Sequence, residues 1–195
     1  MVGNNCAGIK NKTDSLFNMI KTLNIGILYL QETKLYSKGQ INIQNFVIFE
    51  TNRPQNGGGG LLTAVHEKFQ PSLIQTEQDN PDILIVQCEI SNNCVRLING
   101  YGPQENDPMN EKMKFFTSLE TAILNGISNG YLICAELDAN SKIGMENLKS
   151  DPNHISANGQ LLMELVNRNR LIVVNSSSKC TGEHQIEENN YNPFI

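Results

Sequence analysis

Apolar positions in this chain follow two patterns: short unbroken runs that end abruptly in polar side chains, and longer stretches where apolar residues recur every three or four positions. The first marks a buried strand and the second an amphipathic helix. Residues 2–9 read as a short strand giving way to a turn, since Gly3, Asn4, Asn5 and Gly8 make a poor helix. A helix over 14–23 follows, capped by Thr13 or Asp14, with Leu16, Phe17, Met19, Ile20 and Leu23 on its stripe. Residues 25–30 and 46–50 read as strands. A glycine-rich loop over 53–60 leads into another strand at 61–65. Two β-rich runs, 83–90 and 94–101, flank Ser91, Asn92 and Asn93 as a hairpin would. Asp107 and Pro108 open a helix carrying Phe115, Phe116, Leu119, Ala122 and Ile123, closed near Gly126. Residues 131–135 then form a buried strand, Asn158 and Gly159 lead into a helix with Leu161, Leu162, Leu165 and Val166, and 171–174 is the last strand.

A strand–helix–strand beginning implies an α/β arrangement, with Asn5 and Glu32 at the same edge of adjacent strands. Candidate chemistry lies where strands stop. The run 131–135 opens through Glu136 and Leu137 into Asp138 and Asn140, so a rigid backbone end can hold a carboxylate and an amide toward one ligand. Alone, Asp and Asn there are more often plain turn formers than a site. Tyr101 falls at the same surface if the strand register holds, and a structural aromatic is the competing explanation. Gly57 to Gly60 could cradle a phosphate through backbone N–H groups, but no Lys-Ser/Thr follows, which favours a plain turn.

Composition narrows the picture. The 195 residues, 39% hydrophobic, suffice for one sizeable core and one domain. No apolar run approaches the length of a membrane span and no basic-then-apolar leader opens the chain, so the expected compartment is intracellular, nuclear or cytoplasmic, without membrane attachment. Cys6, Cys88, Cys94, Cys134 and Cys180 are widely spaced, which supports neither a disulfide framework nor a zinc site. The net charge of −5 argues against an indiscriminate nucleic-acid coat protein. It leaves room for a phosphodiesterase whose acidic site meets phosphate through bound cations.

Asn5 in N-C-A-G-I, Glu32 in L-Q-E-T-K, the glycines before Leu61, Tyr101 in N-G-Y-G-P, and Asp138 and Asn140 in L-D-A-N-S-K-I-G occur in an order that resembles the endonuclease/exonuclease/phosphatase family. Within it the likeness is to endonuclease domains of LINE-type retrotransposons, which are similar to abasic-site endonucleases and exonuclease III. Residues 158–162 and 171–175 share that likeness. The resemblance implies a four-layer α/β sandwich, two mixed β-sheets flanked by helices. It implies that Glu32 and Asp138 hold Mg²⁺ or Mn²⁺, and that Asp138 also orients or deprotonates the attacking water. Asn140 would hydrogen-bond in the site, Asn5 would support it, and Tyr101 would contact the scissile phosphate. The implied partner is nucleic acid, DNA first, acted on by a monomer.

The chain departs from the family at Ala7, where Asp or Asn is usual, and at Leu137, where glycine is usual. A rival alignment would use Glu136 and Asp138 in place of Asp138 and Asn140; the following N-S-K-I-G favours the latter. None of His66, His154 or His184 stands in the family's terminal Ser-Asp-His. The expectation is therefore a domain over 1–182 lacking its last strands, incomplete at its carboxyl end, and a divergent, disordered tail over 183–195. The expected function is a truncated Mg²⁺-dependent endonuclease-like phosphodiester hydrolase, weakly active or inactive. The alternative is a non-catalytic remnant that only binds nucleic acid or protein.

Overall fold

The structure, a computed structural model, describes residues 1–10, 12–35, 37, 39–51, 59–74, 80–143 and 155–174. In chain order the elements are β1 (Val2–Asn5), α1 (Thr13–Thr22), β2 (Ile27–Gln31), β3 (Phe46–Thr51), β4 (Leu61–His66), a 3₁₀ turn (Glu67–Phe69), β5 (Ser72–Leu73), β6 (Ile83–Ile90), β7 (Asn93–Tyr101), α2 (Met109–Ser128), β8 (Leu132–Asp138) and α3 (Ala157–Arg168). They build two four-stranded mixed sheets, ordered β1-β2-β4-β3 and β5-β6-β7-β8. β1 runs parallel to β2 and β8 parallel to β7, and the other pairs are antiparallel.

Strand alternation explains the layers, because successive side chains leave a strand on opposite faces. In β2, Leu28 and Leu30 pack outward with Leu16 and Ile20 of α1. Ile27 and Tyr29 pack inward against Leu84, Val86, Val95 and Leu97 of the other sheet. On the second sheet's outer face, Ile85 and Ile98 meet Phe115, Phe116, Leu119 and Ile123 of α2 and Leu165 of α3. Three cores thus fill the three spaces of an α/β/β/α sandwich.

Several local expectations change. The hairpin turn is Ser91-Asn92, both at positive φ, and Asn93 already belongs to β7. A two-residue turn of this kind matches the twist of its strands. Neither Thr13 nor Asp14 caps α1, whose N-cap is Lys12 without a side-chain bond. Asp107 does not cap α2 because its carboxylate accepts from the Gln104 N–H at 2.7 Å, closing the preceding turn. α2 continues past Gly126 to Ser128; the glycine is kept small by Ile133 and Arg96 beneath it.

Two strand expectations need correction. The run 131–135 is no central buried strand among the described residues: there β8 is the last strand of its sheet, none of its residues is fully buried, and Ala135 is exposed. Apolarity reports contact with β7 and α2 but cannot report whether a second neighbour exists. Residues 171–174 form no strand, with Ile172 72% and Val174 61% exposed. Leu171 instead completes the end of α3, donating its N–H to the Val166 carbonyl at 2.9 Å while Arg170 takes a left-handed φ of 53°. This is a helix-closing motif in which an apolar residue packs back on the helix. Ile25 after Asn24 and Tyr131 after Gly130 close α1 and α2 in the same way.

Candidate active site

β1 and β2 end side by side, with Asn5 opposite Gln31, and β7 and β8 end side by side, with Tyr101 opposite Asp138. The two pairs of strand ends meet across the inter-sheet space. Asn5 Nδ2 donates to Asp138 Oδ2 at 2.5 Å, joining residues 133 positions apart. Tyr101 donates its hydroxyl to Glu32 Oε1, also at 2.5 Å. Asn140 donates its backbone N–H to Asp138 Oδ1 at 3.2 Å and its amide to the Gly102 carbonyl at 2.8 Å. All five residues singled out in the sequence are therefore brought together.

The backbone around them is unusual. Glu32 has φ 53°, Asn140 φ 46° and Ala7 φ 46°, a region that non-glycine residues enter at a cost. At Glu32 the turn is held from below: Thr33 and Lys34 donate to the carbonyls of Gly60 and Gly59 at 3.1 and 3.0 Å. Gly59 and Gly60 thus act as a turn into β4, with φ 78° and 86°, and it is their carbonyls that are engaged. Gly57 and Gly58 lie outside the described residues. Ala7 donates its N–H to Asn5 Oδ1 at 3.0 Å, fixing which face of the amide turns to Asp138.

Electrostatics follow from burial. Tyr101 is 7% exposed, and burial, reinforced by its bond to Glu32, pushes its phenol up to about 12. The phenol is thus a neutral donor at ordinary pH. Lys34 Nζ stands 4.0 Å from Glu32 Oε2, a half-exposed pair worth little by itself. Glu136, one turn of the pleat before Asp138 on the same face, is half-buried, and burial raises its carboxyl. Its chain fills the space that a side chain at Gly3 would need: a Cβ there would lie 2.2 Å from it.

Four polar residues join this cluster that strand-end logic alone missed. Gln104 donates to the Tyr101 hydroxyl at 2.9 Å. Asn99, fully buried, accepts from Gln31 Nε2 at 2.9 Å and donates toward the Leu30 and Leu62 carbonyls and Thr63. Asn158 gathers three carbonyls behind Asn140. A signal for Gln31 and Asn99 existed: each is a polar residue in phase with the core-facing positions of its strand.

The donor set of Glu32, Asp138 and Asn5 is hard and oxygen-bearing. Among the described residues no three His, Cys, Asp or Glu side chains cluster as a ready cage. Two carboxylates would suit a cation that keeps most of its water, as Mg²⁺ does. The four described cysteines, Cys6, Cys88, Cys94 and Cys134, are free; the nearest in sequence, Cys6, donates its thiol to the Gln31 carbonyl. The one described histidine, His66, sits at the opposite end of β4 from Leu61, beside Phe46 and Phe69. His154, His184, Cys180 and residues 183–195 lie outside the described residues.

Two mixed sheets face to face, helices on both outer faces and a polar cluster at the strand ends define a recognisable architecture: the chain has the endonuclease/exonuclease/phosphatase fold. It is similar to the endonuclease domain of TRAS1, a telomere-specific non-LTR retrotransposon, at 20% identity and a TM-score of 0.60, over 86% of this chain and 70% of that one. It is also similar to the 3′ phosphatase NExo from Neisseria, solved bound to a product DNA hairpin, at 16% identity and a TM-score of 0.64, over 85% and 69%. The AP endonuclease LMAP from Leishmania major gives 12% identity and a TM-score of 0.63, over 86% and 65%. No family model and no curated protein sequence matches the chain.

Proposed function

We propose that this chain carries a divalent-metal-dependent phosphodiester hydrolase site acting on nucleic acid, DNA first. One observation carries the proposal: Asn5–Asp138 and Tyr101–Glu32 contacts bring four polar strand ends, far apart in sequence, into a single cluster. Similarity to nucleases and a phosphatase of the same fold supports the reaction class.

In this proposal Glu32 and Asp138 hold Mg²⁺ or Mn²⁺, which when bound neutralises charge on the phosphate oxygens. Asp138 accepts the proton of a water whose oxygen bonds to phosphorus while the opposite P–O ester bond breaks, and solvent protonates the leaving oxygen. Asn5 holds Asp138 in orientation through its amide. Tyr101, whose one hydroxyl proton goes to Glu32 in the free protein, turns it to a phosphate oxygen when substrate binds, and Asn140 lends its amide to the same pocket. Electrostatic stabilisation at such preorganised donors is the main source of rate.

A positioned acid–base group contributes ~10²–10⁴-fold, and in this proposal Asp138 is that group. Because Asp138 already accepts from Asn5 Nδ2 and the Asn140 N–H, which favours its charged form and weakens it as a base, nicking is slow in this proposal. The same contacts favour a second reading, in which the site binds nucleic acid without cleaving it.

Plasmid nicking with Mg²⁺, paired with calorimetry of the metal, tests the proposal. Slow nicking that Asp138→Ala abolishes is expected, together with Mg²⁺ affinity at least tenfold weaker in Glu32→Gln. Nicking that survives Asp138→Ala would overturn the role of Asp138, and equal metal affinity would remove Glu32 as a ligand. DNA binding with no Asp138-dependent nicking would establish the second reading.

A further inference from the structure

The loops that follow β7 and β8 flank the proposed site, and the first turn of α3 packs against both. Asn158, 0% exposed, directs Nδ2 at three backbone carbonyls: Pro103 at 2.7 Å, and Ala139 and Asn140 at 3.2 Å each. The first belongs to the loop after Tyr101 and the other two to the loop after Asp138. Asn158 Oδ1 is buried and finds no hydrogen-bond partner among the described residues. The opposite amide orientation would set an oxygen against three carbonyl oxygens, so the site demands a donor here.

The surroundings are built for the same close approach. A Cβ on Gly159 would lie 1.9 Å from the Lys142 carbonyl, so only glycine lets α3 rest on this loop. Ser156 caps α3 by accepting from Gly159 N at 3.2 Å, while the same hydroxyl accepts from Lys142 N at 2.9 Å. Glu105 accepts from Ala157 N at 3.0 Å, and the buried Lys112 of α2 donates to the Glu105 carbonyl. Between the two loops, Gly102 donates its N–H to the Asp138 carbonyl at 2.7 Å, and a Cβ on Gly102 would meet the Ala139 backbone at 2.9–3.0 Å.

We propose that Asn158 is a positioning residue for this site: its amide ties the loop after β7 to the loop after β8 and thereby fixes Asn140 beside Tyr101 and Asp138, which the β7–β8 ladder already pairs. This deepens the proposed hydrolase reading and rests on it. Asn158 touches neither substrate nor metal, so it acts on the geometry of the reaction and leaves substrate affinity nearly unchanged. Displacements on the order of 1 Å cost ~10²-fold in rate.

The test uses the full chain with Asn158→Ser, Asn158→Ala and Asn158→Leu, with nicking kinetics and amide hydrogen exchange of Gly102 as separate readouts. Leu has nearly the shape of Asn but no donor; Ser is smaller but keeps one. If donation is what matters, kcat falls least at Ser and by ~10- to 100-fold at both Ala and Leu, with KM within about threefold. Gly102 exchange accelerates in the same order, while amides of β2 and β4 keep their protection. If Asn158 only fills space, Leu matches Asn and Ala is worst, and the proposal falls. It falls equally if Ser and Ala exchange at Gly102 as the native chain does. Gly102 exchange needs no turnover, so a chain that never nicks DNA would refute the hydrolase reading and still decide the role of Asn158.

Discussion

Tyr101 and Glu32 meet at 2.5 Å, and so short a contact is stable only while one partner keeps the proton. The phenol is that partner even unburied, and burial raises its titration from its ordinary value near 10 to about 12. The sign follows: the fold favours protonated Tyr101, so this stabilisation is complete below pH 10 and is lost as pH climbs toward 12. Two units correspond to roughly 2–3 kcal/mol. Urea melts of the native chain and Tyr101→Phe between pH 9 and 12 should therefore converge as pH rises, the native chain losing its advantage; parallel curves would mean the phenol titrates normally. Strain tells a related story at Glu32, Asn140 and Ala7, all at positive φ. Asn tolerates that region better than Glu or Ala, so the backbone at Glu32 and Ala7 is held by its neighbours and not by local preference. At this scale the sequence is most legible where a polar side chain ends an apolar run, as Glu32 and Asp138 do. Gln104 was invisible because a glutamine in a loop looks the same whether or not it touches a buried tyrosine.

Between elements, a polar pin crosses the inter-sheet layer: Gln31 of β2, Thr63 of β4 and Asn99 of β7, all buried. Asn99 satisfies Gln31 and reaches the carbonyls of Leu30 and Leu62, so it fixes how far one sheet slides over the other. A slide would part Glu32, one residue beyond Gln31, from Tyr101, two beyond Asn99. Replacing Asn99 with the isosteric Leu leaves the Gln31 amide dry and should cost about 2–4 kcal/mol, a fall in Tm on the order of 10 °C. A drop of a degree or less would show that the sheets are registered by apolar packing alone. Element type was read well because period-2 and period-3.6 patterns come from local geometry. Neighbour identity was not: β8 as the last described strand of its sheet and 171–174 as a helix closure depend on what lies beside the segment, and no run of apolar letters encodes that.

At the scale of the whole molecule, the proposed partner and the chain repel each other: the protein carries −5 and the substrate is a polyanion. A protein that binds DNA through Lys and Arg releases counterions, and its affinity falls steeply with salt, by a log–log slope near −0.9 per phosphate contacted. Among the described residues the charges at the strand ends include the carboxylates of Glu32 and Asp138, with Lys34 beside Glu32 and Lys12 on the Cys6 carbonyl, so in the proposed reading much of the attraction to phosphate comes from the cation those carboxylates would hold. Affinity for a DNA duplex should then depend strongly on Mg²⁺ and weakly on KCl. Titrations by anisotropy at 50 to 200 mM KCl should give a slope shallower than about −3 with Mg²⁺ present, and a chelator or Glu32→Gln should remove most of the binding. A slope near −6 or steeper, unchanged by chelation, would place the DNA on a basic surface away from this cluster and would sever the link between substrate binding and the five residues that the fold draws together.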